Sequence, residues 1–376
     1  MATVNPAAEA GAASSPRVTV SQTYWSLVWR RFRRSWMGMT GAAMILLLLF
    51  LAVFANFLSP YDPTLRHSGD LFLPPQTIHF FDAGGDFHLR PFVYPYTLEF
   101  DPNTFESIYT QDTGKPCPLY FFVDGWQYTL FGISMDQHLI GPAEGCTAYL
   151  LGTDNLGRDM LSRMLVGSRL TLTMALLVVA ITISIGTTIG IMSGYFGGRF
   201  DHWTQRLVEL VLAFPELPLY MALVAILPKT ADPLRTFMFL ALILSALKWA
   251  QMSREVRGKT LSISRVDFIK AAESLGASDS RILFRHILPN VMTHVIVATT
   301  LLIPGIVLIE SFLSFLGLGI QPPLISWGLL LNAAQDFKTI GAAPWMLSPV
   351  VLILIAVLGF NAFGDGLRDA IDPYAH

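Results

Sequence analysis

The residues able to do chemistry are few and scattered. Gly258-Lys259-Thr260 resembles the end of a phosphate-binding loop. That motif needs a further glycine five residues earlier, where Ser253 stands. No strand precedes it, so nucleotide binding is excluded. His67, His79, His88 and His138 are isolated, and Cys117 and Cys146 belong to no Cys-x-x-Cys or Cys/His cluster, which argues against a metal site. No His-Glu-x-x-His, Gly-x-Ser-x-Gly or Gly-x-Gly-x-x-Gly occurs. No catalytic residue and no bound cofactor are therefore expected. The remaining unusual residues are carboxylates inside apolar runs: Glu209 and Glu216 in one, Glu310 in another. An ionisable group at membrane depth is costly and normally faces a pathway or a partner charge.

The elements that must position these groups are spans. The chain has 376 residues, 53% hydrophobic and 14% charged, with a mean hydropathy of +0.51; soluble domains carry about 25% charged residues. Uncharged or nearly uncharged runs cover Met37 to Leu58, Leu170 to Gly194, Leu207 to Leu227, Leu234 to about Met252, Val291 to Leu316 and Met346 to Phe363. Each is long enough to cross a bilayer, which predicts an all-α polytopic membrane protein with six transmembrane helices. Glu216 falls near the middle of its run, flanked by Pro215 and Pro218, which loosen the helix ladder. It is expected to line a solute path, or to pair with a neighbouring subunit. Glu209 and Glu310 are expected to pair with polar neighbours or with the interface. No basic patch interleaved with aromatics points to nucleic acid.

Residues 1–20 read as a disordered cytoplasmic tail, rich in Ala, Ser and Pro. Trp25, Val28, Trp29, Phe32 and Trp36 then recur at helical spacing opposite Arg30, Arg31, Arg33 and Arg34. That pattern predicts an interfacial helix, giving a unit 21–58 with the first span. Residues 59–150 hold no spanning run and are rich in Pro, Gly, aromatics and charge. Asp124-Gly125 between two β-prone runs predicts a two-residue hairpin, so this insert is expected to be a β-rich extracytoplasmic cap. Residues 151–376 form a core with the other five spans. The arginines before the first span place the N-terminus in the cytoplasm. Arg254, Arg257, Lys259, Arg265, Lys270, Arg281 and Arg285 place the loop between the fourth and fifth spans there too. Both termini are then cytoplasmic and the insert lies outside. There Cys117 and Cys146 are expected to form a disulfide, worth about 2–4 kcal/mol; two buried free thiols are the alternative.

Lys270-Ala271-Ala272-Glu273-Ser274-Leu275-Gly276, followed by Arg281 and by His286-Ile-Leu-Pro289-Asn290, predicts a short helix–turn–helix within the cytoplasmic segment 253–290. This segment resembles the coupling loop of ABC-importer permeases. Lys270 and His286 depart from that pattern, whereas Ala271, Ala272, Gly276 and Pro289 match it. Leu151-Gly-Thr-Asp-Asn-Leu-Gly-Arg-Asp159, Leu212-Ala-Phe-Pro215, Leu313-Ser-Phe-Leu-Gly-Leu-Gly319 and Gly364-Asp-Gly-Leu-Arg-Asp369 through Asp372-Pro373 resemble, in order, the C-type permease subunit of dipeptide/oligopeptide ABC importers. The resemblance implies the type I importer permease fold in a bacterial inner membrane. It also implies import of short peptides by alternating access. The implied partners are a sister permease, an extracytoplasmic binding protein and two ATPase subunits that carry ATP and Mg and dock on the coupling loop. Oligosaccharides or opine-like solutes are the alternative cargo, because the insert departs from the family pattern. Asp154, Arg158 and Asp159 read as an outer docking edge for the binding protein; the alternative is local capping, with Asp154 or Asn155 as the cap of a helix starting near Leu156. A membrane enzyme or sensor would need a catalytic cluster, and a secondary transporter would show repeated broken helices; the sequence displays neither.

Overall fold

A computed structural model describes residues 24–100, 107–227, 232–335 and 337–371; the tail 1–20 and the Asp372-Pro373 end of the last motif lie outside them. Helix α1 (Tyr24–Phe32) precedes α2 (Trp36–Val53) and the single turn α3 (Ala55–Leu58). Strands β1 (His79–Phe81), β2 (Phe87–Val93), β3 (Tyr96–Phe100), β4 (Ser107–Gln111), β5 (Cys117–Leu130) and β6 (Ile133–Pro142) follow. The rest is helical: α4 (Met160–Phe196), α5 (Gly198–Leu212), α6 (Glu216–Ala225), α7 (Pro233–Ile263), α8 (Asp267–Ser274), α9 (Asp279–Ile282), α10 (Leu288–Phe315), α11 (Trp327–Asn332), α12 (Phe337–Ala342) and α13 (Pro349–Ile371).

Five helical segments are long and apolar enough to cross a membrane, and six if the bent pair α5–α6 counts as one. The continuous span expected over Leu207 to Leu227 is corrected by this bend of 85°. Pro215 has no N–H to give the helix and pushes Phe214 out of helical geometry. The chain therefore stops at Leu212 and restarts at Glu216.

Glycine sets the helix packing. Gly186, Gly190 and Gly194 recur every four residues on α4, where an added Cβ would come within 2.8 Å or less of Met252, Ser253 and Thr260 on α7. Gly41 on α2 meets the backbone of Phe363 on α13 in the same way, at 2.3 Å. Small residues let helix backbones approach, which drives association where the surrounding lipid is as apolar as the side chains. Around these contacts Leu48, Met174, Val178, Leu240, Leu244, Val307 and Trp327 form the main core. A second cluster, of Ile191, Val256, Ile269, Ile282, Ile287 and Val291, sits at the other end of α4 and α7.

The tryptophan face expected of the first helix divides. Val28 and Phe32 bury against Phe363, Leu367, Ala370 and Ile371 of α13, Trp25 and Trp29 remain exposed, and Trp36 starts α2 behind the Ser35 N-cap.

In the 59–150 segment a four-stranded antiparallel sheet runs β1-β2-β5-β6, with β3-β4 as a separate pair. The hairpin expected at Asp124-Gly125 is corrected, because both residues lie inside β5 at a bulge opposite β6. Gly125 is needed there for contact: an added Cβ would stand 2.6 Å from the His138 ring. The turn is made instead by Phe131 and Gly132, with φ of 50° and 83°, the pair of positive values that a tight primed turn requires. Two anchors hold the segment down. His138 Nδ1 lies 2.9 Å from the carbonyl oxygen of Asn56 in α3. Backbone bonds from Phe72 to Asp154, from Thr153 to Leu73 and from Gln76 to Tyr149 zip its two ends together. Cys117 and Cys146 are paired, with Cα atoms 5.9 Å apart.

Candidate functional site

Three places carry unusual residues. At the first, α8 packs through Ile269 into the second core cluster and leaves Lys270, Ala271, Glu273, Ser274, Leu275 and Gly276 exposed, Leu275 at 88%; Ala272 is half-buried. Gly276 N donates to Glu273 O and Ala277 N to Ala272 O, with Gly276 at φ +78°. This is a glycine-closed helix end in which the left-handed residue satisfies the last carbonyls. The chain then turns into α9, where Arg281 is exposed. Leu283–Ile287 forms a widened turn in which Leu288 N donates to Leu283 O. Pro289, next in line, has no N–H of its own, and such a proline is accommodated by this widening. The loop is thus a knob of mixed polarity, with Leu275 fully presented, on a rigid support. Tyr195 Oη, near the end of α4, donates to Asp279 Oδ1 at 2.8 Å. Arg257 on α7 grips Asp201 on α5 with two bonds of 2.5 and 2.6 Å, and Ser193 donates to the same carboxylate. Helices α4, α5, α7 and the knob are therefore linked by polar contacts at one end of the molecule.

The second place is the bend. Glu216 is the first residue of α6, 45% exposed, and its Oε1 lies 2.5 Å from Lys248 Nζ, whose side chain is only 13% exposed. Both line a cavity of about 140 Å³ with Phe214, Leu219 and Leu247. Tyr220 below is fully buried and donates to Leu244 O at 3.2 Å. Glu216 thus occupies a helix start beside a cation, not the middle of a continuous span. Sequence reasoning singled out Glu216 without its partner. The signal available was a run with two anions, Glu209 and Glu216, followed by a run with two cations, Arg235 and Lys248, since such charges seldom stand alone. Glu209 pairs at the surface with Arg206, at 3.1 Å. Glu310 is fully buried and accepts from Ser314 at 2.8 Å.

The third place is the turn before α4. Here the outer docking edge is corrected: Asp154 and Asp159 are each 2% exposed and the Arg158 side chain 15%, which leaves no surface to dock on. Asp154 organises the turn from inside. Its Oδ1 accepts from Leu156 N and Arg158 N, and its Oδ2 from Arg158 Nε and Arg163 Nη1, all between 2.6 and 3.0 Å. The helix starts at Met160, not near Leu156, and its cap is Asp159, which accepts from Ser162 N at 2.8 Å. Burial raises the Asp159 carboxyl to about 6 and pushes the Tyr61 phenol well above its ordinary range. Among the described residues no group of three His, Cys, Asp or Glu is placed to hold a metal.

The sequence comparisons agree with a membrane component that moves solute. Residues 186–375 match the model of the binding-protein-dependent transport system inner membrane component. Residues 23–75 match the N-terminal TM domain of oligopeptide transport permease C. The chain belongs to the binding-protein-dependent transport system inner membrane component family, the permease subunits of ABC transporters. It is a multi-pass membrane protein and a transport subunit, with ATP hydrolysis assigned to separate subunits of such systems. It is 38% identical to the oligopeptide transport system permease protein OppC of Bacillus subtilis over 59% of this chain and 70% of that one. It is 37% identical to the OppC of Haemophilus influenzae, over 68% of this chain and 80% of the relative. To the glutathione transport system permease protein GsiD of Pectobacterium atrosepticum it is 31% identical, over 94% and 92% of the two chains.

Proposed function

We propose that the chain is the C-type permease subunit of an importer that carries short peptides across the bacterial inner membrane by alternating access. The observation that carries this reading is the coupling knob: a glycine-closed helix with Leu275 fully presented, tied through Asp279 and Asp201 to the ends of α4, α5 and α7. A partner ATPase that grips Ala271 to Gly276 would pull on those helices together. Relatives named for oligopeptide and glutathione transport support the peptide class. Two ATPase subunits loaded with ATP and Mg, a sister permease and a solute-binding protein complete the assembly.

The knob and its arginines lie in the cytoplasm with both termini, and the β-rich segment faces the other side. There Cys117 and Cys146 are oxidised. Helix α1 lies in the headgroup layer through Trp25, Trp29 and its arginines. The Glu216–Lys248 pair borders the solute path. The test is uptake of labelled short peptides against labelled oligosaccharides in cells lacking only this gene. Peptide uptake lost, restored by the wild type but not by Gly276→Val, is the expected result. Intact peptide uptake with lost oligosaccharide uptake would overturn the cargo and keep the mechanism.

A further inference from the structure

Two adjoining cavities open where the start of α4 meets the loop 322–325. Arg66, Arg158 and Arg163 line the first, of about 260 Å³. Val166, Arg169, Leu170, Leu234 and Phe237 line the second, of about 440 Å³, and Pro63, Thr64 and residues 323–325 belong to both walls. No carboxylate lines either cavity. Asp154 stands behind the first with both oxygens already engaged. Arg163 is 4% exposed and its Nε is buried without an acceptor. Arg66 is exposed and has no ion-pair partner among the described residues. Arg158 and Arg163 share the single Asp154 carboxylate, so the three guanidiniums leave an excess of positive charge, with Arg66 as the free fork-shaped donor for a carboxylate or phosphate, here beside a largely apolar chamber.

What the chamber faces decides the ligand. Below it α4 exposes Thr173, Leu176, Ala180, Ser184, Ile185 and Thr188; Ser184 and Thr188 bond back to carbonyls of α4 itself, whereas Thr173 lines the chamber without such a bond. Helix α2, by contrast, exposes Leu46, Leu47, Leu49, Phe50 and Val53. A hydroxyl without an internal partner, such as that of Thr173, belongs on a wet or protein-covered face, because hydrocarbon offers it no hydrogen bond. We propose that this double cavity is a carboxylate-recognition site for incoming solute, in which Arg66, backed by the net positive charge of the Asp154, Arg158 and Arg163 cluster, holds the free C-terminal carboxylate of a peptide and the neighbouring apolar chamber takes its last side chain. The proposal rests on the peptide-import reading and adds to it a requirement for a free carboxyl end.

The test uses the importer complex purified through this chain, without binding protein, in nanodiscs of zwitterionic lipid. The probes are N-acetylphenylalanine and its amide, followed by saturation-transfer NMR. The acid should bind at least 10-fold more tightly than the amide. Arg66→Gln should remove that preference and Arg66→Lys restore most of it. Leu234→Trp, which fills the chamber, should weaken N-acetylphenylalanine but leave N-acetylglycine unchanged. Equal binding of acid and amide, or an unchanged preference in Arg66→Gln, would overturn the site. Displacement of the acid by phosphatidylglycerol that itself saturates the site would overturn it in favour of a lipid headgroup. Acid binding as expected, in cells whose peptide uptake does not depend on the gene, would leave the site standing and fell the peptide reading instead.

Discussion

Lys248 is the side of the bend pair that water barely reaches, so it depends on Glu216 more than Glu216 depends on it. Removing one partner of a shielded pair leaves the other charge uncompensated, a larger loss than removing both. Lys248→Met and Glu216→Gln should each slow uptake several-fold while the subunits still copurify, and the exchanged pair Glu216→Lys with Lys248→Glu should recover part of the rate. Unaltered uptake in both single variants would detach the pair from transport. Asp159 allows a pH prediction. Its folded value of about 6 lies above the ordinary 3.8. The stabilising contribution is therefore full below pH 4 and disappears as pH rises through 6. About two units correspond to about 3 kcal/mol at most. Thermal melts of the wild type should lose stability across that window, and Asp159→Asn should flatten the slope. At this scale the sequence exposed which residues were odd but not what they touched. Glu216 and Asp154 stood out as charges, while their partners Lys248 and Arg163 come from other helices or another turn, and spacing does not report such contacts.

Helix ends and helix contacts make the predictions of the next scale. A side chain at Gly276 must adopt a left-handed φ, at a cost of roughly 1–2 kcal/mol. Gly276→Val should therefore tilt the knob and uncouple ATP hydrolysis from uptake. Gly276→Asn, whose short polar side chain tolerates that geometry, should keep more than half of the uptake. ATPase and uptake rates measured together decide it. Gly190→Leu should separate α4 from α7, because even a Cβ would stand 2.6 Å from Ser253 O; the readout is lost assembly or a melting point lowered by several degrees. The helices themselves were legible because hydropathy over twenty residues leaves few alternatives. The bend was legible only as a ladder loosened at Pro215 and Pro218, since the apolar run continues past both. The Asp124-Gly125 turn failed for a related reason: a glycine also appears where a ring must lie flat on a strand, and His138 is remote from it in the chain.

The matched family models, covering residues 23–75 and 186–375, leave out the whole β segment together with the turn and the first part of α4 that follow it. Deleting His79–Pro142 with Cys146→Ser keeps the 72–76 ladder. The core should then still assemble, with stimulation by the binding protein reduced. Full stimulation would show that this segment plays no part in docking. Its β content was legible from aromatic and β-branched runs, but its attachment to Asn56 was not, because that contact spans 82 positions. The attachment has a mechanical consequence. The hairpin is held at its middle by the end of the first span, and the ends of the segment that carries it are zipped together just ahead of the second. It must therefore turn with the first span. The residues of β6 from Ile133 to Gln137, between the tip and the His138 anchor, at about 3.4 Å each give an arm of about 17 Å. On such an arm a tilt of about 10° displaces the Phe131-Gly132 tip by about 3 Å, nearly one residue's rise along a strand. A small rotation of the span is thus read out at a distance from it.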